Sequence, residues 1–241
     1  MTNLFGEFFG TMVLMTLGCG VVANCLLKKS KAEGAGWMVI TTGWGFAVIM
    51  GVFCAVAAGA PQADLNPAVT LAKTMIGVYS VPQAVATMLA ELLGGIAGAT
   101  VAWLAFLPHW ELTEDKGAKL GIFCTAPAIR NVASNLLCEI IATMALIIPI
   151  FAMFSKSVGG IAPGFGPYLV GILVWAIGLS LGGPTGYAIN PARDLGPRIA
   201  HAILPIAGKG DSDWGYAWIP VVGPLAGGVL SYLVAAGVGL V

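Results

Sequence analysis

Charge is what this sequence of 241 residues has least of: 9% of its side chains are charged, 11 acidic against 11 basic. A soluble domain carries about 25%, so this chain cannot clothe a water-facing surface in the usual way. Its net charge of zero suggests neither a nucleic-acid nor an acidic partner. Histidine is almost missing, with only His109 and His201, both near segment ends. A membrane enzyme needs a nucleophile with a base, or a metal set, and these two residues supply neither. Five cysteines are present, yet no C-x-x-C and no Cys/His cluster occurs. That spacing points away from a metal or redox site, and no cofactor is implied. A positive n-region is also lacking before the first apolar run. The run is too long for a signal peptide and reads as a retained membrane helix.

What is abundant is apolar. Hydrophobic residues make up 58% of the chain, and there are 34 glycines. Small residues let membrane helices approach closely. A spanning helix needs about 20 mainly apolar residues. Six stretches qualify, at roughly 4–27, 36–59, 82–107, 132–155, 165–183 and 215–240. In lipid the backbone must satisfy its own hydrogen bonds, so these runs are expected to be helices. The alternation of a membrane barrel is missing from Val101–Leu107 and Ile140–Phe154.

Two further apolar stretches are too short to span, at about 66–78 and 190–204. At about 12 residues each, they make helices of roughly 18 Å. One crosses about half of a roughly 30 Å core. Two entering from opposite faces cross it together.

The chain also repeats itself. Asn3-Leu4-Phe5-Gly6-Glu7, continuing to Thr11-Met12, matches Asn135-Leu136-Leu137-Cys138-Glu139, continuing to Thr143-Met144. Leu65-Asn66-Pro67-Ala68 matches Ile189-Asn190-Pro191-Ala192. The reading is one channel domain over 1–241, with halves of about 1–118 and 119–241. Three spans per half is an odd number, so the second half enters inverted. Paired short segments at matching places in two halves point to a substrate path. The polar stretch His109–Arg130 is expected to be the hinge.

Asn is a good N-cap, and Pro suits the first helical position. One Asn-Pro-Ala is an ordinary helix start. Two copies, each opening a half-length apolar segment, carry the argument. Their N-termini place two positive dipole ends near the midplane. Such a site attracts the oxygen of a neutral solute and opposes a passing cation or hydronium.

These paired motifs, the inverted repeat and the intramembrane glutamates resemble the aquaporin superfamily. The run Asn190-Pro191-Ala192-Arg193-Asp194 resembles the aquaglyceroporin branch, whose members pass glycerol and similar solutes. The resemblance implies an all-α membrane protein with six transmembrane helices and two re-entrant half-helices. It implies a passive channel for glycerol, water and other small uncharged solutes, dihydroxyacetone, urea and protonated lactic acid among them. It further implies a homotetramer in the cell membrane with both termini cytoplasmic. The positive-inside rule alone predicts the reverse, since Lys28, Lys29, Lys31, Lys116, Lys119 and Arg130 then lie outside.

Residue by residue, the resemblance implies pore motifs at Asn66, Pro67, Ala68, Asn190, Pro191 and Ala192. It implies a selectivity filter of Trp44, Gly178, Tyr187 and Arg193. Tyr187 stands where glycerol channels usually hold Phe. Arg193 brings a permanent planar charge, and its alternative is a structural ion pair with Asp194. A lone Trp in a membrane helix is commonly an interface anchor, and the neighbouring motifs move Trp44 to the filter. Glu7, Glu139 and Asp194 are expected to be structural supports, with Glu91 bracing similarly. Carboxylates in apolar helices are functional candidates by default. Asp64 replaces the His common before the first motif, and is expected to add negative charge to the inner vestibule. A water-selective pore is the first alternative, against which Gly178 and Asp194 argue. An ion-coupled transporter, using Glu7 and Glu139, is the second.

Overall fold

The computed structural model describes residues 2–241, and the described residues contain helices and turns but no strand. Among the described residues, five helices are long and apolar enough to cross a membrane: α1 (Asn3–Leu26), α2 (Trp37–Ala57), α4 (Val81–Ala105), α7 (Val132–Met153) and α10 (Ile219–Gly237). The sixth apolar helix, α8 (Gly166–Leu181), has 16 residues, fewer than the expected span of 165–183. Gly166-Pro167 opens it, and Gly182-Gly183-Pro184 stops it.

Two half-length helices begin at the Asn-Pro-Ala motifs. They are α3 (Pro67–Met75) and α9 (Pro191–Ile203). The first is shorter than the expected 66–78, because the chain turns at Gly77, whose φ of 83° is left-handed. The half-helix α3 packs on α10, and α9 packs on α4. Both contacts are backbone to backbone. A Cβ on Gly95 of α4 would lie 2.6 Å from the Ala192 carbonyl oxygen, and one on Gly228 of α10 would lie 2.8 Å from that of Ala68. No larger residue fits at either place. Thus the Ala of each motif is seated against a glycine of the opposite half.

The remaining packing surrounds these half-helices. Helix α1 lies on α2 and α4, α7 lies on α10, and α2 lies on α8. The stretch 109–130 corrects the expectation of a polar hinge. It folds into α5 (His109–Leu112) and α6 (Lys116–Phe123). Trp110, Ile122 and Phe123 from these helices are fully buried. Even Lys119 is buried, its amine donating to the Ala207 carbonyl.

Candidate functional site

The two loops that enter the half-helices share one unusual backbone. Ala63 and Leu65 have φ of 44° and 53°, and Tyr187 and Ile189 have φ of 40° and 45°. None is glycine, and left-handed backbone at such residues costs on the order of 1–3 kcal/mol each. Buried carboxylates hold it. Glu7 accepts the N–H groups of Asp64 at 3.1 Å and Leu65 at 2.9 Å. Glu139 accepts those of Ala188 at 3.0 Å and Ile189 at 2.9 Å. Hydrogen bonds to a charged group contribute about 1.5–3 kcal/mol each, enough to offset the strain. A third carboxylate, Glu91, accepts the Asn66 N–H at 3.0 Å.

Each loop ends in an asparagine that caps its own half-helix and grips the other loop. The Asn66 side-chain oxygen accepts from the Ala68 N–H at 2.9 Å, while its amide donates to the Ile189 carbonyl at 2.8 Å. The Asn190 oxygen accepts from Ala192 at 2.9 Å and Arg193 at 3.1 Å, while its amide donates to the Leu65 carbonyl at 2.7 Å. The bonds are reciprocal, and they fix two helix N-termini against each other. A carboxamide has two N–H groups, so one on each Asn remains for a passing acceptor.

Both asparagines line a cavity of about 840 Å³. One wall is aliphatic, with Val48, Val52, Leu146, Ile150 and Val174. The two loops add residues 63–66 and 187–190 to the same lining, followed by Arg193. At one end the Arg193 guanidinium carbon sits 4.1 Å from the centre of the Trp44 ring. Its Nη1 donates to the Phe123 carbonyl at 3.4 Å. Tyr187 lines the same cavity, and Gly178 makes room for it: a Cβ there would lie 2.7 Å from the Tyr187 ring. Trp37 supports this corner from behind, donating its indole N–H to the Gly178 carbonyl at 3.0 Å.

Asp194 pairs with Arg198 at 2.8 Å, and it also accepts both the N–H and the hydroxyl of Thr125. Its partner is therefore not Arg193. Asp64 does not stand as a free negative charge at the vestibule. Lys73 pairs with it, Tyr79 donates to it at 2.8 Å, and the Thr70 hydroxyl lies 3.1 Å from it. Sequence reasoning missed Trp37, Phe123, Thr125 and Arg198. Only Arg198 carried a readable sign, its i,i+4 spacing from Asp194.

Half-helices joined through reciprocal asparagine caps, at the centre of an apolar bundle, define the aquaporin type of membrane channel. A profile of the family described as Major intrinsic protein matches residues 1–235, and the chain belongs to that family. It is 52% identical to the probable glycerol uptake facilitator protein of Thermotoga maritima, over 95% of this chain and 96% of that one. It is 53% identical to glycerol uptake facilitator protein 3 of Lactiplantibacillus plantarum, over 96% of this chain and 94% of that one. The X-ray structure of the aquaglyceroporin from Plasmodium falciparum superposes with a TM-score of 0.83 at 26% identity, covering 97% of this chain and 94% of that one.

Proposed function

We propose that the chain conducts glycerol, and with it water and other small uncharged solutes, passively across the cell membrane while excluding ions and protons. The observation that carries this reading is a lumen lined both by aliphatic side chains and by the hydrogen-bond donors Asn66, Asn190 and Arg193. A polyol has a carbon edge and a hydroxyl edge. The aliphatic wall takes the first, and the free N–H groups of Asn66, Asn190 and Arg193 take the second. The names of the relatives support glycerol as the solute. The two half-helix N-termini, with Arg193, form a positive field that opposes cations.

In this reading Trp44, Gly178, Tyr187 and Arg193 are the filter. Asn66, Pro67, Ala68, Asn190, Pro191 and Ala192 are the central station. Glu7, Glu139 and Asp194 hold the frame. Residues 1–118 and 119–241 are the two inverted halves, the assembly is a homotetramer, and both termini face the cytoplasm. Protease access to residues 109–130 in sealed vesicles tests the last point. Cleavage only from the cytoplasmic side rejects it.

The solute is tested by stopped-flow light scattering on proteoliposomes, comparing water, glycerol, urea, dihydroxyacetone and lactic acid. Glycerol flux well above the lipid background, with no proton leak, is expected. Passage of water alone sinks the glycerol reading. Uptake that follows an imposed ion gradient sinks the passive one.

A further inference from the structure

The filter arginine is held from outside its own helix. Its guanidinium makes one hydrogen bond to the protein among the described residues, to the carbonyl of Phe123. Phe123 is the last residue of α6, in the connection between the halves. Where that carbonyl sits therefore bears on where the Arg193 fork points.

Two residues on, the chain is clamped. The Thr125 N–H and hydroxyl both donate to one oxygen of Asp194, each at 2.7 Å. The Thr125 carbonyl accepts from Nη2 of Arg198 at 2.9 Å. The other oxygen of Asp194 accepts from Nε of Arg198 at 2.9 Å and from Nη2 at 2.8 Å. Nη1 of Arg198 donates to the carbonyls of Ser212 at 2.8 Å and Asp213 at 3.2 Å. A guanidinium has five N–H donors in a fixed fork, and here every one is used. Arg198 is fully buried. It joins α9, the 123–125 segment and the 212–213 loop into one unit.

We infer that Arg198 is a positioning residue for solute selection: through Asp194 and Thr125 it fixes the Phe123 carbonyl, and so aims the Arg193 fork across the lumen. The inference rests on the assignment of Arg193 to the filter. Lysine cannot replace it. An ammonium donates from a single point and cannot reach the Thr125 and Ser212 carbonyls while pairing with Asp194.

The test uses the full chain in proteoliposomes and reads the ratio of glycerol to water permeability, together with cation leak. A ratio is independent of how many channels are reconstituted. Arg198→Lys keeps the charge beside Asp194 and is expected to change the ratio by about threefold or more, because the fork geometry is lost. Thr125→Val leaves the Asp194–Arg198 pair and the backbone bond in place. It is expected to shift the ratio in the same direction by about twofold, for one lost hydrogen bond to a carboxylate. Equal loss of both fluxes, or an unchanged ratio, in the folded variants overturns the inference. If Arg198→Lys does not fold, Thr125→Val decides alone. A wild type that passes no glycerol defeats the proposed solute instead. Increased cation leak in the variants then still supports the positioning role, and unchanged leak overturns it.

Discussion

The Arg193 guanidinium carbon sits over the Trp44 ring, 4.1 Å from its centre, and the group makes one hydrogen bond, to the Phe123 carbonyl. A cation over an indole face is stabilised by about 0.5–2 kcal/mol. The rest of its fork is left for solute. Arg193→Val removes the one fixed cation of the proposed filter. Cation exclusion is expected to weaken by about tenfold or more, equivalent to ~1.4 kcal/mol. Conductance of liposomes under a potassium gradient measures it. Exclusion that survives intact assigns the barrier to the half-helix N-termini instead.

Glu7 and Glu139 each accept two backbone N–H groups from a loop held at left-handed φ. Glutamine has one acceptor oxygen, and its NH2 group faces an N–H where the second oxygen stood. Glu139→Gln and Glu7→Gln are each expected to lose about 2–3 kcal/mol of stability, the worth of a buried hydrogen bond to a charged acceptor. Thermal unfolding in detergent checks this, and a negligible shift removes the bracing role.

Glu91 should behave differently. Its Oε1 accepts from Asn66, but its buried Oε2 has no partner among the described residues. The Thr70 hydroxyl lies 2.9 Å from Glu91 Oε1 and 3.1 Å from Asp64 Oδ2, and it has only one hydrogen to give. No cation pairs with Glu91 among the described residues, while Lys73 pairs with Asp64. A neutral side chain therefore suits the place. Glu91→Gln keeps the acceptor for Asn66 and is expected to cost less than about 1 kcal/mol, since no charged pair is lost. The same unfolding measurement checks it, and a loss as large as that of Glu7→Gln contradicts it.

The parts of this molecule that were legible in the sequence are those encoded locally. Apolar length marked the spans, and Asn-Pro before an apolar run marked both half-helix starts. Glu7 and Glu139 stood out because a carboxylate in such a run needs a reason. What stayed hidden depends on contacts between distant residues. Thr125 meets Asp194 across 69 positions, and Phe123 meets Arg193 across 70. The 109–130 stretch reads as polar because Glu111, Glu114, Asp115, Lys116 and Lys119 crowd its first half, yet Trp110, Ile122 and Phe123 from it are buried. Asp64 likewise read as a free charge, since its partners Lys73 and Tyr79 are visible only once α3 is placed.

Gly178 and Tyr187 give the sharpest test of solute size. A Cβ at position 178 would lie 2.7 Å from the Tyr187 ring and 2.8 Å from its hydroxyl, well inside contact distance. The ring cannot retreat, because Trp37 packs edge-on against it at 5.9 Å. Gly178→Ala therefore pushes Tyr187 toward Arg193 and narrows the lumen. Glycerol permeability is expected to fall by about tenfold, the effect of ~1.4 kcal/mol of added barrier, and water permeability by less. Tyr187→Phe in the same background removes the hydroxyl that the added Cβ would meet at 2.8 Å. Removing it relieves part of the crowding, so glycerol flux is expected to recover in part. Stopped-flow shrinkage and swelling of the same vesicles measures both solutes. If Gly178→Ala slows water and glycerol by the same factor, the narrowing at Tyr187 does not select by size, and the discrimination lies with Arg193 and Trp44.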